Sequence, residues 1–163
     1  MIEVPLTKGY VAIVDDVDAW IADVKWRVNI NHRSMYGLRS KKQNGRQYQF
    51  MLHRVLMEQI VGRTLTKDEI VDHIDGDGLN NVRSNLRLCT RSQNMWNKKA
   101  HRNTSTGLKG VTFVTGHEPR NWKAQIHVGR KNIYLGYHDT PEAAHKAYCD
   151  AAQFYFGEYW RAA

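Results

Sequence analysis

The sequence predicts an α+β fold assembled from small sheets and short helices, and three stretches carry that prediction. Residues 36–51 read as a basic hairpin turned at Asn44-Gly45, the residue pair that a tight two-residue turn favours. Residues 71–94 read as a short strand, a polar loop, a second short strand and the start of a helix. Residues 107–161 read as three strands followed by an alanine-rich helix.

Taken in order, residues 10–14 form a first apolar strand, and Asp18-Ala19-Trp20-Ile21 suggests a short helical turn. Trp20 and Trp26 are expected as core aromatics. This opening segment is acidic, with Asp15, Asp16, Asp18 and Asp23. From Lys25 to Arg54 no acidic residue occurs, and the hairpin falls inside that run. A helix opens at Leu52, carries Ile60 and Val61 on its apolar side, and ends at Gly62. Val71, Ile74, Leu86 and Leu88 anchor the next two strands, while Gly76 and Gly78 break the first of them. Thr90-Arg91-Ser92-Gln93 fits a capping box, so a helix should begin just after Thr90. Residues 98–107 lack apolar periodicity and read as a basic, polar linker. Beyond it, residues 110–114, 121–128 and 132–137 alternate as strands. Trp122, Ala124, Ile126 and Val128 share one face, against Lys123, Gln125 and His127 on the other. Thr140 caps the last helix, with Pro141 in its first turn, and Ala143, Ala147 and Ala151 line one side of it.

The 163 residues have room for one ordinary domain or a few small ones. A net charge of +8 implies an acidic partner, of which nucleic acid is the commonest. Cys89 and Cys149 stand far apart in no CxxC pair, which argues against a cysteine-rich zinc site and for small core residues in a reducing compartment. No secretory leader or membrane span is read, so a cytoplasmic, soluble protein with no membrane partner is expected.

The strand–loop–strand–helix stretch collects Asp72, His73, Asn85 and Asn94. An Asp beside a His, with two later carboxamides, suits a one-metal hydrolase. Hard oxygens of this kind suit Mg2+ or Mn2+. Alternation on a flat strand would send Asp72 and His73 to opposite faces, so a twist or bulge is expected to bring both into one site. The Asp75-Gly76-Asp77-Gly78 run lacks the spacing of a calcium loop, because Leu79 stands where an oxygen is needed. Asp75, Asp77, Asn80 and Asn81 are therefore read as turn formers.

Asp72-His73, Asn85 and Asn94, at intervals of twelve and nine residues after His73, resemble the ββα-metal motif of HNH endonucleases of the phage homing type, with Asn as the last ligand. The resemblance covers about residues 50–100. It implies metal ligation by Asp72 and Asn94, a general base in His73, and an Asn85 side chain that holds the other ring nitrogen of that base. It also implies hydrolysis of DNA to 5′-phosphate and 3′-hydroxyl ends. Leu52-His53-Arg54 precedes the motif as in those relatives, which places His53 near the phosphate. Residues 107–161, through Gly110-Val111, residues 122–126, Leu135-Gly136-Tyr137 and the Ala pairs of the helix, resemble the APETALA/ethylene-response-factor DNA-binding domain. In that family the sheet reads the major groove, which makes Lys109, Phe113, Arg120, Lys123, Gln125, His127, Arg130 and Tyr134 the candidates here.

The expected organisation is an N-terminal β-rich basic region (1–50), a nuclease module (51–100), a basic linker (101–106) and a sheet-type DNA-binding module (107–163). The expected partner is double-stranded DNA, nicked by a monomer rather than a homodimer, with phosphate contacts also from Arg39, Lys41, Lys42, Arg54, Arg87, Arg91, Lys98, Lys99 and Arg102. Two other readings use the same residues: a DNA-binding regulator with an inactive nuclease motif, and a nuclease acting on RNA or on unpaired strands.

Overall fold

The computed structural model describes residues 1–31, 34–98, 106–116 and 118–161. The chain forms two compact units, Met1–Ser92 and Gln93–Ala163. The architecture is α+β with small antiparallel sheets, as the sequence predicts. Among the described residues no helix is long and apolar enough to cross a membrane.

In the first unit β1 (Ile2–Pro5) pairs with β2 (Val11–Val14). A three-stranded meander follows, of β3 (Arg27–Asn31), β4 (Ser34–Gln43) and β5 (Arg46–Met51). Asn44 and Gly45 both take positive φ, 50° and 75°, which gives the expected tight turn between β4 and β5. α1 (Leu52–Val61) starts at the next residue. It stops at Gly62, whose left-handed φ of 68° lets its N–H reach the Glu58 carbonyl. β6 (Ile70–His73) and β7 (Leu86–Cys89) then form a separate antiparallel pair. One apolar cluster holds these pieces together, drawing Val4, Val14, Ile21 and Trp26 from before residue 50 and Leu52, Leu56, Leu65 and Leu86 from after it. The division expected between residues 50 and 51 therefore does not appear as a break in the core. Leu52 and Leu56 are wholly enclosed, each stabilising the unit by about 1.5–3 kcal/mol through burial. Trp26 is buried and its indole N–H donates to the Ile21 carbonyl at 2.9 Å. Trp20, expected in the core, is 41% exposed: it sits on the outer side of a 3-10 stretch (Asp16–Asp23) whose buried residues are Asp18 and Ile21.

The second unit begins within α2 (Arg91–Asn97), which starts directly after Thr90 as its capping box predicts. β8 (Val111–Phe113), β9 (Trp122–Val128) and β10 (Lys131–His138) form a meander with β9 in the centre. α3 (Pro141–Phe156) packs on it, its Ala144 and Ala152 against Ala124 and Ile126. The Thr140 hydroxyl accepts the Ala143 N–H at 3.1 Å and so caps α3 as expected. A Cβ at Gly110 would fall 2.1 Å from the Tyr148 ring, so only glycine lets α3 approach β8 this closely. Trp96 of α2 stacks on Phe156, centroids 4.3 Å apart. Of the expected linker 101–106, only Thr106 lies among the described residues.

Candidate active site

β6 and β7 pair without a break in register, Asp72 opposite Arg87 and His73 opposite Leu86. The expected bulge is absent from this pairing, and strand alternation gives Asp72 and His73 separate surroundings. Asp72 is buried against its cross-strand neighbour: Arg87 donates from Nε at 3.0 Å and from Nη2 at 2.8 Å, both to Oδ2. The Arg87 side chain is itself 11% exposed. Arg87 is thus an ion-pair partner of Asp72 rather than the outward phosphate contact expected.

His73 is buried, and its Nε2 lies 3.2 Å from the Asn81 side-chain oxygen. Asn81 is fully enclosed. Its backbone N–H donates to Ile13 at 2.7 Å and its side-chain nitrogen to the Gly78 carbonyl at 3.4 Å, which turns the oxygen end towards the imidazole. An amide oxygen only accepts hydrogen bonds, so Nε2 carries the ring proton and the lone pair belongs to Nδ1. The His73 ring also meets Tyr36 and His53, at centroid distances of 5.9 and 5.1 Å. His53 Nδ1 is enclosed with no hydrogen-bond partner among the described residues. Burial, then the neighbouring charges of His73 and Arg54, push the His53 pKa down to about 3. Burial also lowers the His73 pKa, against the opposing pull of Asn81, Asp75, Asp72 and Asp77. Both imidazoles are therefore neutral at pH 7, the state a proton acceptor needs.

The carboxamide that meets His73 Nε2 is that of Asn81. Asn85 instead ties the loop: its oxygen accepts the Asp75 N–H at 3.0 Å, and its nitrogen donates to Asp75 Oδ1 at 2.9 Å and to the Asn80 carbonyl at 2.7 Å. The acidic loop residues turn inward on their own backbone, as expected of turn formers. Asp75 accepts from the Asp77 N–H and the Asn80 amide, and Asp77 accepts from the Leu79 N–H. Burial would raise the Asp75 pKa, but these N–H donors outweigh it and leave the carboxyl below its usual range. From outside, Asp15 accepts the Arg83 N–H at 2.7 Å, and the wholly buried Asp18 takes the Arg83 guanidinium at 2.7 and 2.8 Å. The acidic opening segment, with no role assigned from sequence, clamps the loop that carries Asn81. Tyr36 and Asn81 are the site residues that sequence reasoning missed. The Asn80-Asn81 pair was the available signal, since a carboxamide enclosed beside a histidine has few other uses.

Among the described residues no group of three or more His, Cys, Asp or Glu side chains is arranged to hold a metal ion. A metal would rest on Asp72, with the Asn94 carboxamide of α2 as the second expected ligand; Asn94 lies in the second unit. The donor chemistry fits a hard divalent cation, and the Asp72 carboxylate already takes a positive partner, the Arg87 guanidinium.

The expected DNA-contacting residues divide. Lys41, Lys42 and Lys98 are exposed, Arg39 is partly buried on β4, and Arg91 is exposed on α2. In the sheet of the second unit, register places Lys123, Gln125 and Tyr134 on the side away from α3, together with His127, whose ring nitrogen meets Asn132 at 2.8 Å. Arg130 is exposed in the turn between β9 and β10, and Arg120, also exposed, lies 3.6 Å from Asp139. Three expectations are corrected. The Arg54 guanidinium is spent on the carbonyls of Leu65, Thr66 and Glu69. Lys109 donates to the Trp96 and Arg161 carbonyls, and burial pulls its pKa down to about 8. Phe113 pairs with Trp122, which puts it on the α3 side of the sheet. Lys99 and Arg102 lie outside the described residues.

Residues 50–96 match the family described as HNH endonuclease. An uncharacterized HNH endonuclease of Acanthamoeba polyphaga mimivirus is 36% identical over 108 residues, 66% of this chain and 54% of that protein. Protein 3.8 of Escherichia phage T7 is 36% identical over 62 residues, 38% of this chain and 50% of that protein. The chain spans about half the length of the curated relatives it matches. No solved structure matches significantly. The family match runs through α1, which carries His53, β6, which carries Asp72 and His73, the stretch with Asn81 and Asn85 that joins β6 to β7, then β7 and most of α2: over residues 50–96 the chain is similar to HNH endonucleases.

Proposed function

We propose that the protein is a metal-dependent endonuclease of the homing type, which binds duplex DNA and nicks it as a monomer. The observation that carries this reading is the enclosed His73, neutral and fixed as one tautomer by Asn81, next in sequence to the buried carboxylate of Asp72. His73 Nδ1 takes the proton of the attacking water, and Asn81 steadies the imidazolium that results. Tyr36 and His53 wall the ring and keep its orientation. Asn85, Asp75 and the Arg83 clamp hold the loop, so that Asn81 does not move as charge develops. A Mg2+ or Mn2+ ion held by Asp72 and Asn94 would supply neutralising charge for the leaving 3′ oxygen. Products carry 5′-phosphate and 3′-hydroxyl ends.

Substrate binding is assigned to two basic surfaces, each on its own unit. One is the β4–β5 ribbon, where Arg39, Lys41 and Arg46 share a face with Tyr48 and Phe50 by register. The other is the outer face of the second unit's sheet, with Lys123, Gln125, His127 and Tyr134, used in the manner of an APETALA-type domain. The mainly polar and basic character of these side chains favours duplex over single strands.

The test is cleavage of end-labelled duplex, single-stranded DNA and RNA in parallel, with product ends probed by phosphatase and ligase. Cutting of duplex alone to ligatable 5′-phosphate ends is the expected result. Preferential cutting of single strands or RNA moves the substrate assignment, and selective binding of duplex without cutting under any divalent metal makes the protein a regulator.

A further inference from the structure

Two cations have a claim on the same carboxylate. Arg87 already places both Nε and Nη2 on Asp72 Oδ2, at 3.0 and 2.8 Å, and the two side chains are 11% and 7% exposed. The pairing is built into the fold, because antiparallel register sets residue 87 directly across from residue 72. A divalent ion bound to Asp72 would sit about 2.0–2.1 Å from a carboxylate oxygen. It would then share one partly desolvated anion with a guanidinium of the same sign. Screening by water is weaker at such a site than at the surface, so the two cations repel each other.

We propose that Arg87 competes with the divalent metal for Asp72 and thereby sets how tightly the metal is held; this rests on the reading of Asp72 as a metal ligand. Arg87 also keeps the buried carboxylate paired when no metal is present, which removes the cost of an isolated buried charge. Asp72 thus exchanges one counter-ion for another rather than waiting as a bare anion. The role is the reverse of an outer-shell residue that orients a ligand, whose removal weakens metal binding by about 10–100-fold.

The sign of one affinity change decides between these roles. Mn2+ binding is measured by the paramagnetic resonance signal of the free ion, on the full chain without DNA. Arg87→Gln keeps hydrogen-bond donors for Asp72 and loses the charge; Arg87→Lys keeps the charge. The Gln variant is expected to bind Mn2+ on the order of tenfold tighter than wild type, or more, and the Lys variant to stay near wild type. Affinity in the Gln variant equal to or below wild type overturns the proposal. Asp72→Ala separates the underlying reading: if it binds Mn2+ as wild type does, Asp72 is not the ligand and that reading fails on its own. Should circular dichroism show the Gln variant unfolded, Mg2+ titration of 15N-labelled wild type decides. A buried arginine Nε–H signal that shifts with metal saturation supports competition, and a set of arginine signals that never moves overturns it.

Discussion

Gly78→Ala tests how the loop that carries Asn81 is held, and its cost follows from three distances. An alanine Cβ at position 78 would lie 2.2 Å from the Met35 carbonyl oxygen and 2.5 Å from both Cδ1 and Cε1 of Tyr36. A separation of about 3.4 Å is the near limit of comfort, so loop and strand must part by about 1.2 Å at the carbonyl. β4 resists, because Met35 is paired with Ile30 on β3. The loop resists too, through the Leu79 carbonyl on the Ile13 N–H and the Asn81 N–H on the Ile13 carbonyl. A backbone clash between two fixed segments belongs at the upper end of the overpacking range, about 3 kcal/mol. With a slope of about 1–3 kcal/mol per molar urea, that moves the unfolding midpoint down by about 1–3 M. Urea unfolding followed by tryptophan fluorescence and circular dichroism reads this directly. Cleavage should fall further than the folded fraction, because Tyr36 and Asn81 both move against His73. A variant within about 0.5 kcal/mol of wild type would refute the close approach of loop to strand, and with it the walling of the imidazole.

Four further outcomes are expected. His53 drops from an ordinary pKa of 6.5 to about 3 on folding, so the unfolded chain binds more protons between those values. Stability should fall as pH drops below about 6.5, by up to about 1.4 kcal/mol per pH unit for this group, and His53→Phe should flatten part of that slope in urea midpoints taken from pH 7.5 to 5.5. Asn81→Ala should cut the cleavage rate by on the order of tenfold to a hundredfold while leaving duplex affinity near wild type in gel-shift titrations, since it frees the tautomer and touches no proposed DNA surface. Arg54→Met should cost about 2 kcal/mol in urea unfolding and leave the salt dependence of DNA binding unchanged, because its guanidinium serves loop carbonyls. Replacing Lys41 and Arg46 together, both on the proposed DNA-facing side of the ribbon, should lower the log–log salt slope by about 0.9 for each DNA phosphate that is no longer neutralised, read by fluorescence anisotropy.

Local chemistry in the sequence was enough for the turns and ends. Asn44-Gly45 could hardly be anything but a hairpin turn, Gly62 closes α1, and Thr140-Pro141 opens α3. Alternation along residues 122–128 told the covered face of β9 from the open one. What escaped depends on groups brought together from far apart in the chain. Asp18 and Arg83 are 65 residues apart, and no local pattern links them. The basic run around Arg54 reads as a phosphate surface until α1 is seen to turn that guanidinium onto residues 65–69. Which of two nearby carboxamides, Asn81 or Asn85, faces the imidazole is decided by how the loop closes on β2 and not by spacing from His73. The Asp72–Arg87 pair was within reach: two short antiparallel strands in this register leave those residues opposite each other.

The most direct single measurement is conversion of supercoiled plasmid carrying candidate target sequences, with Mg2+ or with EDTA, by wild type and by His73→Ala. Open-circle product that needs Mg2+ and vanishes in the His73 variant, while that variant still shifts the same DNA in a gel, is the result expected of a nicking enzyme with His73 as its base. Undiminished Mg2+-dependent cutting by His73→Ala would contradict the assignment of the active site.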